Sequence, residues 1–256
     1  MKTIVVKCGG SVLSELSEAF FTSMKELTEQ GYAIVFVHGG GPEINEMLKT
    51  LNVQSEFKNG LRVTSEQVLR TAELALSGSL NRKLVRLLEK HGLAAIGLNS
   101  SDNGLLQAKF IDQEQLGFVG EVTKVNSAFL QLLCEQKLLP VLTPIAAGPD
   151  GTVLNINADL AAAAVANALK VEHFLMVTDV DGVMKDGELL PELSEAQTNE
   201  LIASGVISGG MIPKVQSAIQ TFSDHVKQVH IVSGKKAFYQ NGEWYGTKFV
   251  KEKVIL

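Results

Sequence analysis

Cysteine is scarce. The 256-residue chain has two, Cys8 and Cys134, far apart and without paired spacing; this excludes a disulfide framework, a cysteine zinc site and a dithiol redox motif, and fits a reducing, cytoplasmic compartment. Basic charge is also in deficit. Lys and Arg number 23 against 28 Asp and Glu, for a net charge of −5. With no lysine-rich stripe or tail, nucleic acid and anionic membrane surfaces are poor partners, and any anionic ligand must be held by a few local cations. Long apolar runs are missing as well. Leu160 to Ala166 is alanine-rich and too short to span a bilayer, and the N-terminal run breaks at Lys7, which gives no signal-peptide shape. The apolar fraction of 45% and charged fraction of 20% are those of an ordinary globular chain, long enough for one large α/β domain or two lobes sharing a sheet.

What the chain does have is glycine at strand ends. Thr3-Ile4-Val5-Val6 is a short β-branched run that reads as a buried strand, and it ends in Lys7-Cys8-Gly9-Gly10-Ser11. Glycines let backbone N–H groups approach an anion, and the lysine adds a mobile point charge, so the natural guest is a phosphate. A strand with an ordinary glycine turn reads the same residues equally well.

The pattern then repeats. Helical spacing from Leu16 to Gln30 leads to a second strand, Ala33 to Val37, which runs into His38-Gly39-Gly40-Gly41-Pro42 and a helix through Leu51. Two glycine-rich strand ends in one βαβ unit lie on one edge of a parallel sheet, where α/β ligands bind. Lys58-Asn59-Gly60 signals a hairpin across Val53 to Val63 that carries Arg62, which reads as a solvated surface arginine or as a residue able to grip a carboxylate. Two helices are expected next, from Thr64 or Ser65 to about Ser77 and from about Leu80 to His91. A strand from Leu93 to Leu98, a hairpin of Leu105 to Phe110 with Gly117 to Val125, a helix capped by Asn126 and a strand from Leu139 to Ile145 follow.

Asn155-Ile156-Asn157-Ala158-Asp159 precedes a helix to Leu169; capping accounts for Asn157 and Asp159 but leaves Asn155 for a site. A strand His173 to Thr178 ends in Asp179-Val180-Asp181-Gly182-Val183. Ser194 with Gln197 forms a capping box, and Ser208-Gly209-Gly210-Met211-Ile212-Pro213-Lys214 is a third glycine loop opening a helix. Gln228 to Val232 reads as the last strand, with a short tail beyond it. The lobes divide at about residue 172.

GxxxxGK[ST], HRD and DFG are absent, which excludes P-loop and protein-kinase chemistry, and no GxGxxG follows the first strand. Phosphoryl transfer fits better, because its transition state spreads charge over oxygens that lysines and N–H donors can meet. The five histidines form no acid–base constellation, and only His38 adjoins a candidate site. A hydroxyl acceptor would want a base. A carboxylate, with a reference pKa of about 4.3, needs none.

Six ordered stretches now carry a resemblance: Lys7 to Ser11, His38 to Gly41, Asn59 to Thr64, Asn155 to Asp159, Thr178 to Val183 and Gly210 to Lys214. Across essentially the whole chain they resemble the amino acid kinase family, and the Asn-Gly-Leu-Arg-Val-Thr and Asn-x-Asn-Ala-Asp pair resembles its acetylglutamate-phosphorylating members. The resemblance implies an open αβα sandwich with a mainly parallel central sheet, in two lobes. Residues 1–172 would bind the acceptor and dimerise, and residues 173–256 would bind ATP. It implies transfer of the γ-phosphoryl of ATP to the γ-carboxylate of N-acetyl-L-glutamate in arginine biosynthesis, with Mg2+ carried by the ATP phosphates and no protein ligand.

By motif position, Lys7 and Lys214 would neutralise the phosphoryl group and its leaving side, and Asp159 would orient both lysines. Gly9, Gly10, Gly40 and Gly41 would cradle the phosphoryl and acceptor region; Arg62 and Asn155 would bind the acceptor. Asp179, Val180, Asp181, Gly182 and Val183, with Ser208, Gly209 and Met211, would hold the nucleotide. Cys8 stands where such motifs often carry a larger apolar residue. The Val53 to Val63 hairpin would act as a lid. Arginine-inhibited hexameric members carry an extra helix before the first strand, which here begins by Thr3, so a homodimer without strong arginine inhibition is expected. Two rivals remain: a sister kinase acting on acetylaminoadipate or glutamate, and a non-catalytic nucleotide sensor, which would have no use for Lys7, Lys214 and Asp159 together.

Overall fold

β1 (Lys2–Cys8) is buried on both faces, and the rest of the architecture follows from that. Ile4, Val6 and Cys8 point to one side and pack with Phe20, Phe21 and Met24 of the helix Glu18–Glu29. Val5 points to the other and packs with Ala161, Ala162, Val165 and Ala166 of the helix Ala158–Leu169. A strand covered on both faces needs a near-continuous apolar run, and each such side chain contributes about 1.5–3 kcal/mol on burial. The alanines let the second helix lie close, so its first turn reaches the end of β1. The computed structural model describes residues 2–223, 225–226 and 228–251.

The central sheet also contains β2 (Tyr32–His38), β3 (Ala95–Leu98), β4 (Leu139–Leu142), β5 (His173–Thr178), β6 (Glu192–Ser194), β7 (Gln228–Ser233) and β8 (Thr247–Val250). Its order is β6-β8-β7-β5-β1-β2-β4-β3. β8 runs antiparallel to β7 and parallel to β6, so these two run against the other six. The result is an α/β layered fold with a mainly parallel sheet. From β1 the chain crosses to β2, whereas from β5 it proceeds to β7 on the far side. The loops leaving the adjacent strands β1 and β5 therefore diverge and open a crevice at their carboxyl ends.

A smaller four-stranded sheet, ordered Val153–Asn155, Ile145–Ala147, Leu106–Phe110, Gly120–Val125, brings Asn155 beside Val119. A hairpin pairs Phe57–Lys58 with Leu61–Arg62, and Asn59 and Gly60 both take positive φ, 52° and 78°. That is the turn whose twist matches paired strands.

Three expectations are corrected. The two helices drawn from Ser65 to His91 are one continuous element: Glu66–Glu73 and Asn81–Lys90 are joined by a π-helical segment, Leu74–Leu80. Ser77-Gly78-Ser79 suggests a break, but a π turn absorbs the slip in period. The strand expected over Leu139 to Ile145 is two, β4 in the large sheet and Ile145–Ala147 in the small one. Pro144 has no N–H to continue a ladder, and its carbonyl accepts from Ile156 N instead. Finally, β7 is not the last strand, because the tail returns as β8.

Candidate functional site

Two glycine loops meet at the carboxyl ends of β1 and β2. A Cβ on Gly10 would lie 2.7 Å from Gly40 Cα and 2.9 Å from Gly40 N, so the loops touch backbone to backbone. Such an approach is open only to glycine. Among the described residues the N–H groups of Gly10 and Gly40 donate to no protein acceptor. Beside them the helix Gly41–Thr50 begins without a side-chain cap, with Pro42 in its first turn. The free N–H groups and the helix dipole together favour an anion.

Lys7 supplies the cation. Its side chain follows Val5 on the face covered by the helix Ala158–Leu169, and Nζ lies 2.9 Å from Asp159 Oδ1. Asp159 sits in the first turn of that helix, which Asn157 caps by accepting from the N–H groups of Asp159 and Leu160. Oδ1 is buried, so the ion pair with Lys7 is shielded from solvent.

Arg62 lies across from Lys7 and is 7% exposed. Its guanidinium donates to Ser55 Oγ and, at 3.5 Å, to the Gly41 carbonyl, and sits 4.6 Å from the centre of the Phe57 ring. Among the described residues no carboxylate pairs with it. Burial lowers its pKa. A buried cation without an acid calls for an anion from outside the chain. Asn155 donates to Thr64 Oγ1 at 3.1 Å, and Thr64 is itself fixed on the Arg62 carbonyl at 2.7 Å. The extra asparagine is thus no helix cap; it is held in the wall of the same cavity.

That cavity, about 220 Å³, is lined by Lys7, Gly9, Gly10, Gly40, Gly41, Arg62, Asn155 and Asp159, with Ile44, Phe57, Leu61 and Val119 as its apolar side. A second, about 230 Å³, occupies the crevice between β1 and β5. It shares Lys7, Gly9 and Asp159 with the first and ends at Asp179 and Lys214. A third, about 390 Å³, shares Asp179 and is walled by Val180, Asp181, Gly182, Val183, Ser208 and Met211. The three cavities therefore adjoin through shared residues: Lys7, Gly9 and Asp159 join the first to the second, and Asp179, which pairs with Lys214, joins the second to the third. A larger space of about 630 Å³ lies at the amino ends of the strands, against Tyr32, Leu93 and Leu139, far from every glycine loop. Size does not pick out the site.

The geometry departs from expectation at Lys214, which pairs at 2.6 Å with Asp179 and not with Asp159. The hydrogen bond from Lys214 holds the Asp179 carboxyl below its ordinary range. Asp181 pairs with Lys236. Gly209 lies in the turn before the helix Met211–Gln220 and is not part of the third cavity's wall. Sequence reasoning missed Thr64, Leu76 and Thr247. The last pins the Asp179–Val183 loop, accepting from Val183 N and donating to the Leu190 carbonyl, each at 2.8 Å. A threonine in a presumed tail carried no signal for this.

The amino acid kinase family profile matches residues 2–233. The chain is 51% identical over 251 residues to an acetylglutamate kinase of Geobacillus sp. (strain WCH70), spanning 98% of each. It is 49% identical over 252 residues to an acetylglutamate kinase of Bacillus subtilis (strain 168), again spanning 98% of each. A crystal structure from Streptococcus mutans UA159 superposes with a TM-score of 0.84 at 33% identity, covering 97% of this chain and 98% of that one. At 16% identity, a carbamate kinase of Giardia lamblia bound to AMP-PNP shares the fold, with a TM-score of 0.67 and 98% of this chain covered against 99% of its own.

Proposed function

The chain belongs to the amino acid kinase family, and from that premise we propose that it transfers the γ-phosphoryl of ATP to the γ-carboxylate of N-acetyl-L-glutamate. N-acetyl-L-glutamyl 5-phosphate and ADP are the products, as in arginine biosynthesis. The observation that carries this reading is the set of three adjoining cavities, with Lys7 where the first meets the second and Lys214 on Asp179 where the second meets the third.

ATP occupies the cavity of Asp179–Val183, Ser208 and Met211, in the lobe of residues 173–256. The acceptor occupies the cavity of Arg62 and Asn155, in the lobe of residues 1–172. Arg62 clamps its α-carboxylate and Asn155 binds the same end. The γ-carboxylate then faces Lys7 and the free N–H groups of Gly10 and Gly40. Already ionised at neutral pH, it needs no base. Catalysis is positioning plus charge: Lys7, oriented by Asp159, meets the oxygens of the group in flight, and Lys214 meets the leaving side after exchanging Asp179 for phosphate. The ATP phosphates would carry Mg2+, which would supply further charge neutralisation there; among the described residues no cluster of three or more His, Cys, Asp or Glu could hold a metal by itself.

The same reading places the enzyme in the cytoplasm as a homodimer; among the described residues no helix is long and apolar enough to cross a membrane. Acceptor-dependent ADP release tests the function, with N-acetylglutamate, glutamate and acetylaminoadipate compared under Mg2+. Strong preference for N-acetylglutamate is expected. Preference for another acceptor moves the substrate, and ADP release with none of them contradicts the kinase reading.

A further inference from the structure

His38 ends β2 one residue before the cavity glycines, yet its fully buried ring faces the helix behind them. Nδ1 lies 2.9 Å from the Gly39 carbonyl oxygen, and Nε2 lies 3.2 Å from Asn81 Nδ2. The neighbours decide where the protons are. Asn81 Nδ2 also lies 2.9 Å from the Val141 carbonyl, which can only accept, and Asn81 Oδ1 faces Arg82 Nη2, which can only donate. The amide thus presents its NH2 to His38, Nε2 accepts, and the ring proton sits on Nδ1, donating to Gly39.

This bond has a direction. A trans peptide points its N–H opposite its C=O, and the described residues contain no cis peptide. Holding the Gly39 carbonyl against the imidazole therefore turns the Gly40 N–H away from His38, and Gly40 lines the acceptor cavity whereas His38 does not. Asn81 is delivered by the π-helical segment Leu74–Leu80, a distortion enriched at functional sites. The same segment sets Leu76 and Leu80 against Gly40, where a Cβ would meet them at 2.7 and 2.4 Å. One helix grips the loop by a polar contact and an apolar one.

We propose that His38 and Asn81 are positioning residues of the phosphoryl-transfer site: an imidazole of fixed tautomer, itself fixed by the amide, aims the Gly40 N–H at the reacting carboxylate. This rests on the carboxyl-kinase reading. The histidine takes no part as acid or base; burial pushes its pKa down to about 4, so the ring is neutral at physiological pH.

The test combines ring and amide 15N NMR with steady-state kinetics, normalised to folded protein by circular dichroism. In the wild type, Nδ1 should carry the proton across about pH 6–8. Asn81→Leu should shift the Gly40 amide resonance and cut kcat by roughly 10–100-fold, with both KM values within about 3-fold. His38→Asn, whose amide can replace the Nδ1 donor, should recover activity relative to His38→Leu. A wild-type ring protonated on Nε2, an unmoved Gly40 amide in Asn81→Leu, or unchanged kcat in both Leu variants overturns the proposal. If the wild type phosphorylates no carboxylate, the functional reading fails, and the tautomer and the Gly40 amide still decide the positioning.

Discussion

Gly10→Ala puts the glycine cradle under the most direct strain. The added methyl would sit 2.7 Å from Gly40 Cα, against backbone that cannot rotate aside as a side chain can. Reaching the 3.4 Å of ordinary contact requires the two loops to part by about 0.7 Å. In the proposed mechanism both present N–H groups to the same charge, and a misplacement of about 1 Å at the reacting atoms costs on the order of 100-fold. We therefore expect kcat to fall by roughly 30–100-fold, with a smaller rise in the acceptor KM and about 1–3 kcal/mol of overpacking strain in urea melts. Gly9→Ala is the control: its Cβ meets nothing closer than Ser11 Oγ at 4.0 Å, so it should keep the wild-type fold and melting curve. The assay is initial-rate ADP release with both substrates varied. A Gly10→Ala enzyme with kcat within about 3-fold of wild type would refute the steric reasoning, because the loops would then tolerate separation.

Three further outcomes follow. Lys7→Ala should cut kcat by roughly 100-fold or more with less change in KM, since its charge acts mainly on the group in flight; near-wild-type turnover removes Lys7 from the mechanism. Arg62→Gln should raise the acceptor KM by roughly 10–150-fold, the equivalent of about 1.5–3 kcal/mol for a charged hydrogen bond, and leave the ATP KM unchanged; equal effects on both would contradict the clamp. Acid should destabilise the fold through its buried histidines. Burial pushes His230 down to about 3 and His38 to about 4, and it lowers His173, whose Nδ1 lies 3.1 Å from His230 Nε2. The unfolded chain thus binds more protons, and stability present above about pH 6.5 is lost as pH falls toward the folded values, on the order of 2 kcal/mol each for His38 and His230 by pH 5. His230→Gln should flatten the dependence of the urea midpoint between about pH 5 and 7.5; an unchanged slope argues against a buried neutral ring there.

The parts of the fold legible in sequence are those fixed by local chemistry. Val5 and its neighbours read as a buried strand, Asn59-Gly60 as a tight hairpin, Asn157 as a helix cap, and Ser194 with Gln197 as a capping box, which the structure forms reciprocally. The glycine loops were legible because glycine is forced wherever backbones touch, as at Gly10 and Gly40. What escaped depends on distance through space. Lys214 is 35 residues from Asp179, and no spacing rule announces that they pair. The π turn hides because a slip in helical period at Ser77-Gly78-Ser79 looks like an end. His173 and His230 looked bland singly and meet only because β5 and β7 pair in register.

The central claim is that phosphate passes from nucleotide to the γ-carboxylate of the acceptor along the line of Lys7 and Lys214. Hydroxylamine trapping tests it most directly, because it intercepts the acyl phosphate and marks the carboxyl group that received it. With ATP, Mg2+ and N-acetylglutamate, the account predicts the γ-hydroxamate in step with ADP release. ADP released without hydroxamate, or trapping at the α-carboxyl group that Arg62 is assigned to hold, would contradict it.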